Sequence, residues 1–322
     1  MAEVFVVIEH RQGGVREVSF QALWKAHDLC QRLGCPLTAV LMGGKDEPFV
    51  QEIAERADKV IAVEDESLKD FNAEIYTGVM ESLIKEYRPF ITIIGHTPWG
   101  MDMGPSLSVR TGYPIATDCV DILVEDERPK VVRQIYTGKL FQKVSFRESE
   151  GYIITVRGGA FPSDRVGDRR AEVIRKGLPA DLPESRRQFV AFEETPAGDV
   201  DITQAELLVS VGRGIAEQEN VDVMKELADL MGGTLSCSRP VVDKNWLPKY
   251  HQVGTSGKSV KPKVYLALGI SGAFQHVAGI TGAGTIIAVN KDKKAPIFRV
   301  AHFGVVEDLF KIAEALKGKL KK

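Results

Sequence analysis

Four cysteines in 322 residues, Cys30, Cys35, Cys119 and Cys237, form neither a CxxC pair nor a metal-ligand spacing. They give no basis for a zinc site or a disulfide framework and read as reduced thiols of a cytoplasmic protein. No apolar run approaches membrane-spanning length, so no direct membrane insertion is expected. An excess of one charge is also missing. Lys and Arg number 42 against 44 Asp and Glu, for a net charge of −2, and their scatter lays down no nucleic-acid footprint. The basic tail Lys317 to Lys322 reads as a solvated helix end. The opening MAEVFVVIEH fits neither a secretory signal nor an Arg-rich transit peptide. No nucleophile, base and orienting acid stand at a recognisable spacing, and no metal-ligating cluster does either. The expectation is a binding site without catalytic apparatus.

What is present is a soluble, core-forming composition, 44% hydrophobic and 27% charged, in a chain long enough for two domains. Residues 4–8 (VFVVI), 37–42 (LTAVLM), 59–63 (KVIAV) and 90–95 (FITIIG) read as buried strands separated by segments of helical spacing, which predicts a parallel sheet. Helices are expected through Phe20, Leu23, Trp24, His27 and Leu33, stopped by Gly34, and from about Asn72 to Tyr87. The loop GHTPWGMDMGPSLSVRTG, entering a helix around Pro105, either marks a nucleotide site or is a Gly/Pro-shaped turn packed by His96 and Trp99. The turn carries more weight, because no fixed charge is placed to hold phosphate. Strands over 131–146 and 152–156, joined through the ESEG turn, are expected to complete the sheet as an antiparallel or mixed edge. The Pro-rich polar composition near residues 177–200 places a boundary: domain 1–185, linker 186–203, domain 204–322.

The second domain centres on VYLALGISGAFQHVAGITGAGTIIAVN, residues 264–290. Its two apolar runs read as parallel neighbours joined by a turn and a short helix, which puts SGAFQH at the carboxyl edge of the sheet, where open α/β sheets bind ligands. A strand AELLVSVG, a helix with Val223, Met224, Leu227, Leu230 and Met231 on one face, a strand and polar turn in LSCSRPVVD, and a final helix from Val305 to Leu316 complete the domain. GRGIAE carries Glu217 where a dinucleotide fingerprint needs its third glycine. Arg213 within it is balanced between a phosphate ligand and a surface arginine. GTSGKS has Gln252 where a P-loop needs its first glycine, and Pro262 follows too soon for a helix, so nucleotide hydrolysis is rejected. Thr255 and Ser256 still offer donors to a ring nitrogen or a phosphate. His276 divides evenly between a satisfied structural residue and a ligand contact.

These blocks, VYLALGISGAFQHVAGITGAGTIIAVNKD with SVGRGI, CSRPVVD, QVGTSGK, KAPIF and VVEDLF in that order, resemble the signature of the electron transfer flavoprotein alpha subunit. The resemblance implies an N-terminal α/β domain with a parallel or mixed sheet and a doubly wound, flavodoxin- or Rossmann-like C-terminal domain that holds FAD. By matching blocks, FAD contacts are implied for Arg213, Ser238, Arg239, Val253, Gly254, Thr255, Ser256, Ser271, Gly272, Ala273, Phe274, Gln275, His276, Asn290, Asp308 and Leu309. His276 would donate toward the flavin N1 and C2 carbonyl region, Arg239 would place positive charge over the ring, and Ser256 would bond N5. Asn290 and Asp308 would serve the adenosine end. Thr255-Ser256 departs from the Gln-Thr of many members. The implied partners are a beta subunit, acyl-CoA dehydrogenases or related flavoprotein dehydrogenases, and a quinone oxidoreductase. An alternative is an electron-bifurcating complex that passes electrons from NADH to ferredoxin and an enoyl-CoA, and another class is a non-redox nucleotide-binding protein.

Overall fold

The computed structural model describes residues 3–11, 13–44, 49–136, 140–166, 170–182, 184–191 and 201–321. Two compact units form, Met1–Ala191 and Phe192–Lys322. Residues 192–200, the middle of the expected linker, lie outside the described residues.

The first unit runs β1 (Val4–Ile8), β2 (His10–Arg11), β3 (Gly14–Val15), α1 (Glu17–Leu33), β4 (Leu37–Gly43), α2 (Val50–Ala54), β5 (Lys59–Glu64), α3 (Ala73–Tyr87), β6 (Ile91–Gly95), α4 (Pro98–Thr111), β7 (Ile115–Glu125), β8 (Arg128–Ile135), β9 (Leu140–Ser145), β10 (Tyr152–Val156) and β11 (Glu172–Lys176). Its large sheet has the order β11-β5-β4-β1-β6-β10-β7-β8-β9. The strands from β11 to β7 are parallel and β8 and β9 are antiparallel. Every residue of β1, β4, β6 and β10 is buried, which is why these strands read as unbroken apolar runs rather than alternating ones. Gly34 closes α1 at φ +62, and the Asn72 side chain accepts from the Glu74 and Ile75 N–H groups at the start of α3.

Two expectations need correction here, and two strands, β7 and β11, are added. β10 is not joined to β9 as a hairpin at an edge. It inserts between β6 and β7, parallel to both, because YIITV has apolar residues for both faces and no polar side to turn outward. β7 is a further strand, IATDCVDILVE, in which only Ala116, Cys119 and Ile122 are buried and the remaining positions are half-buried, so it shows neither an apolar run nor a two-residue alternation. The charged stretch before residue 177 holds edge strand β11, whose polar side chains suit an edge. Finally, α4 begins at Pro98, where a proline fits the first helical turn, and Pro105 lies inside it.

The strand order reverses beside β1 and β6, where a doubly wound sheet would bind a ligand. There Thr97 Oγ1 donates to Glu9 Oε2 at 2.6 Å, and burial raises the Glu9 carboxyl above its usual range. Half-buried His96 bonds Thr155 Oγ1 through Nδ1 at 2.8 Å, and Trp99 stacks on Phe71 with centroids 4.3 Å apart. Trp99 lies in the first turn of α4, so the stretch expected as a Gly/Pro-shaped turn is mostly helix, with its start packed by His96 and Trp99.

The second unit runs β12 (Leu207–Val211), α5 (Asn220–Leu230), β13 (Thr234–Cys237), α6 (Arg239–Asp243), β14 (Val264–Leu268), α7 (Phe274–Val277), β15 (Thr285–Val289), β16 (Phe303–Val305) and α8 (Leu309–Leu320). All strands are parallel in the order β13-β12-β14-β15-β16. In chain order this is 2-1-3-4-5, the flavodoxin-like arrangement. Two buried clusters, one around Val209, Leu227, Leu266 and Leu268 and one around Leu208, Tyr265, Ala267 and Ala288, pack the opposite faces. The polar turn expected in CSRPVVD is helix α6, with Pro240 in its first turn. The expected last helix starts later than Val305, because 303–305 pair with β15 and Asp308 caps α8.

Candidate functional site

Because the five strands are parallel, their carboxyl ends share one edge, and backbone hydrogen bonds extend the sheet past the strands into the loops. Ser238 N–H donates to Val211 O at 3.0 Å, Gly212 to Leu268 at 2.9 Å, Gly269 to Val289 at 2.9 Å and Asn290 to Val305 at 3.1 Å. Five of the six blocks singled out in the sequence follow one of these strand ends, and the sixth, Val253–Ser256, lies between α6 and β14 and bonds the end of β13 through the Val253 N–H. Arg213 leaves β12, and Ser238 and Arg239 leave β13. Ser271–His276 leave β14, Asn290 leaves β15, and Asp308 and Leu309 follow β16.

The crevice where the strand order reverses lies between β12 and β14, and glycines form it. A Cβ on Gly212 would stand 2.3 Å from the Gly269 carbonyl oxygen, and one on Gly269, itself at φ +64, would stand 2.8 Å from Gly214 Cα. Only glycine permits this approach and this backbone. Beside it lies a cavity of about 90 Å³ lined by Gly214, Gly269, Asn290, Lys291, Asp308, Leu309 and Phe310. That volume is well below the roughly 300–1,000 Å³ that encloses a drug-sized ligand, so the cavity is too small to enclose a whole dinucleotide. Asp308 Oδ1 accepts from the Phe310 N–H at 2.7 Å and Oδ2 pairs with Lys291 Nζ at 2.7 Å. The Lys291 bond and the Phe310 N–H hold its carboxyl below the usual range. Asn290 Nδ2 donates to Ile270 O at 2.9 Å while its Oδ1 accepts from Asp292 N–H at 2.9 Å, so part of its amide is committed to the loop. Gly214, Gly269, Lys291 and Phe310 were absent from the expected set. Gly269, directly after β14, and Gly214, in the GRG turn that follows β12, were the two whose glycines offered a signal.

The Val253–Ser256 loop is tied to both β13 and α7. Val253 N–H donates to Cys237 O at 2.9 Å and Thr255 N–H to Gln275 O at 2.8 Å. A Cβ on Gly254, at φ +137, would meet Gln275 O at 2.7 Å. Gln252 Nε2 donates to Ser256 Oγ at 2.8 Å, and Lys258 pairs with Asp201 at 3.0 Å rather than standing at a helix start. Thr255, Ser256, Ser271, Ala273 and Gln275 are exposed, as are Arg213 and Arg239; Phe274 is half-buried, and Val253, Gly254, Gly272 and Ser238 are buried. Gln275, in the single turn of α7, is exposed, whereas His276 beside it is buried. Arg239 reaches Asp243 at 3.4 Å, with both side chains more than half exposed, a pair worth little by itself.

His276 is 6% exposed, and burial pushes its pKa down to about 4. Nδ1 lies 3.1 Å from Val253 O and Nε2 lies 2.8 Å from the Tyr265 hydroxyl, which also lies 2.6 Å from Ser210 Oγ. A neutral imidazole with Nδ1–H on a carbonyl has no N–H left for anything else. The expected donation to a ligand therefore requires the ring to exchange a partner or gain a proton.

Strand order, glycine-lined crevice and polar rim define a doubly wound α/β module, a class of sheet whose carboxyl edge at the switch point is the usual seat of a dinucleotide. Residues 4–181 match the family described as Electron transfer flavoprotein domain, and residues 201–281 match the Electron transfer flavoprotein FAD-binding domain. Protein FixB of Clostridium saccharobutylicum is 35% identical over 309 residues, covering 95% of this chain and 92% of its own. The electron transfer flavoprotein subunit alpha of Methylophilus methylotrophus is 35% identical over 324 residues, 99% of each chain. The LctC subunit of the lactate dehydrogenase (NAD(+),ferredoxin) of Acetobacterium woodii is 31% identical over 316 residues, 97% of this chain and 75% of that one. The chain belongs to the electron transfer flavoprotein alpha subunit family, and its cofactor is FAD. Alpha subunits of this family act with a beta subunit. The glycine crevice, which lets backbone approach a pyrophosphate, and the Asn290/Asp308 cavity suit that cofactor.

Proposed function

We propose that this chain is the FAD-holding subunit of a heterodimeric electron carrier, taking electrons from acyl-CoA dehydrogenases or similar flavoprotein dehydrogenases and delivering them to a quinone oxidoreductase. The observation that carries the reading is the convergence of SVGRGI, CSRP, VGTS, SGAFQH, VNKD and EDLF on one sheet edge. FAD supplies the redox chemistry, which no side chain of this edge offers. Asn290, Asp308 and Leu309 hold the adenosine end. Arg213, Ser238, Arg239, the Val253–Ser256 loop and Ser271–His276 hold and tune the rest, with Arg239 as fixed positive charge and Ser256 as hydroxyl donor. No helix among the described residues is long and apolar enough to cross a membrane. We place the protein in the cytoplasm, which suits four cysteines present as thiols.

A second reading is an electron-bifurcating complex that oxidises NADH and passes electrons to ferredoxin and an enoyl-CoA; the similarity to LctC, whose name pairs NAD(+) with ferredoxin, favours its nicotinamide and ferredoxin parts. Co-purification with the beta subunit, flavin counting and NADH titration separate the two. One FAD and no reduction by NADH support the simple carrier, whereas two FAD and rapid reduction support bifurcation. Absence of any bound flavin refutes both.

A further inference from the structure

Strand β14 reads VYLAL, and its one polar side chain, Tyr265, is wholly buried. A buried phenol is retained only where its O–H has partners, and Tyr265 has two: Ser210 Oγ at 2.6 Å on β12 and His276 Nε2 at 2.8 Å on α7. The proton count decides which way the bonds run. Val253 O can only accept, so Nδ1 of His276 carries a proton. Burial keeps the ring neutral, so Nε2 carries none and must accept. The Tyr265 O–H therefore donates to Nε2, and its oxygen accepts from Ser210 Oγ–H. In the opposite arrangement, with Tyr265 donating to Ser210, Nε2 needs the proton, and bare Nδ1 would face the Val253 carbonyl at 3.1 Å, two acceptors against each other. The chain of donation is Ser210 to Tyr265 to His276 to Val253, and it ties β12, β14 and the Val253–Ser256 loop to one ring.

We propose that Tyr265 is the positioning residue that fixes the Nδ1–H tautomer and the ring plane of His276, and through that ring sets the reduction potential of the bound FAD. The redox part rests on the reading of His276 as a flavin-site residue; the tautomer part does not. An imidazole held by two hydrogen bonds acts as a preorganised dipole that need not reorient as charge develops nearby. Phenylalanine at 265 fills the same space but leaves Nε2 without a donor in the core, which costs enough to favour ring rotation or the other tautomer.

The test uses the full chain in complex with its beta subunit and FAD, with the alpha chain labelled with 15N-histidine. It contains six histidines, and the signal missing in His276→Ala assigns the relevant one. The expected wild-type spectrum shows a protonated Nδ1 and a hydrogen-bonded, unprotonated Nε2. Tyr265→Phe is expected to mix the tautomers, retain FAD, and move the one-electron midpoint partway toward that of His276→Ala. One lost hydrogen bond corresponds to about fivefold in the redox equilibrium, or roughly 40 mV. Ser210→Ala moves it less. A wild-type ring protonated at Nε2 overturns the proposal without any variant, which covers the case in which Tyr265→Phe does not fold. Unchanged tautomer and midpoint in a folded Tyr265→Phe overturn it as well. If His276→Ala leaves the midpoint untouched while Tyr265→Phe mixes the tautomers, the assignment of His276 to the flavin is what fails, and the redox part falls with it.

Discussion

Replacing Gly269 with alanine separates two costs that the crevice imposes. At φ +64 any L side chain is strained, by about 1–2 kcal/mol. The added methyl would also stand 2.7 Å from Leu309 Cδ2 and 2.8 Å from Gly214 Cα, and because Gly214 offers backbone rather than a flexible side chain, relief requires β12 and β14 to shift at their ends. Overpacking of this kind costs about 1–3 kcal/mol. Gly232, after α5, is the control: its φ is +66 but nothing lies within 4 Å of the added methyl, so Gly232→Ala bears only the conformational cost. The difference between the variants, about 1–3 kcal/mol, is roughly 5- to 150-fold in the opening equilibrium of the second unit. Amide hydrogen exchange of β12 and β14 reads that equilibrium directly. Gly269→Ala should also weaken FAD binding, followed by flavin fluorescence, because the methyl reaches Leu309 and Gly214 at the wall of the cavity, whereas Gly232→Ala should not. Equal exchange and equal FAD affinity in the two variants would refute the crevice as the ligand's seat.

His276 should make the second unit acid-sensitive. Its folded-state pKa of about 4 lies below the ordinary 6.5, so the unfolded chain binds the extra proton first, and stability falls as pH drops from 6.5 toward 4, by about 3 kcal/mol in all, with no further contribution below that. His276→Gln should flatten this part of the pH profile of unfolding, and an unchanged profile would count against the buried neutral ring. Ile154→Ala, in central strand β10, should cost about 2–5 kcal/mol. Phe141→Ala, 66% exposed on edge strand β9, should stay within about 0.5 kcal/mol in urea denaturation. Comparable losses would return β10 to the edge. Asp308→Asn keeps a side chain able to cap α8 but frees Lys291, and should lower FAD affinity while leaving the helix content by circular dichroism unchanged.

Much of the site was readable in advance because its residues are fixed by strand ends. A short apolar run followed by Gly, Ser or Asn shows where a parallel strand stops, and SVGRGI, CSRP, LGISG and VNKD each do so. What stayed hidden depends on pairing partners. β16 is three residues of FGV whose strand character comes from its ladder to β15, and β11 is a charged segment made a strand by β5. β10 lies beside an ESEG turn that mimics a hairpin, and only the burial of all its residues in the sheet reveals a central strand. Tyr265 could have been flagged as the single hydroxyl in an aliphatic strand. That its partner is His276 could not, since the contact depends on how α7 lies over β14.

The account turns on whether the ring at the carboxyl edge of β14 acts on FAD. The most direct measurement is a potentiometric titration of the full chain with its beta subunit and FAD, wild type against His276→Ala, with FAD stoichiometry checked in both. A lower first reduction potential in the variant at unchanged stoichiometry is the predicted result. Superimposable titrations would contradict the account.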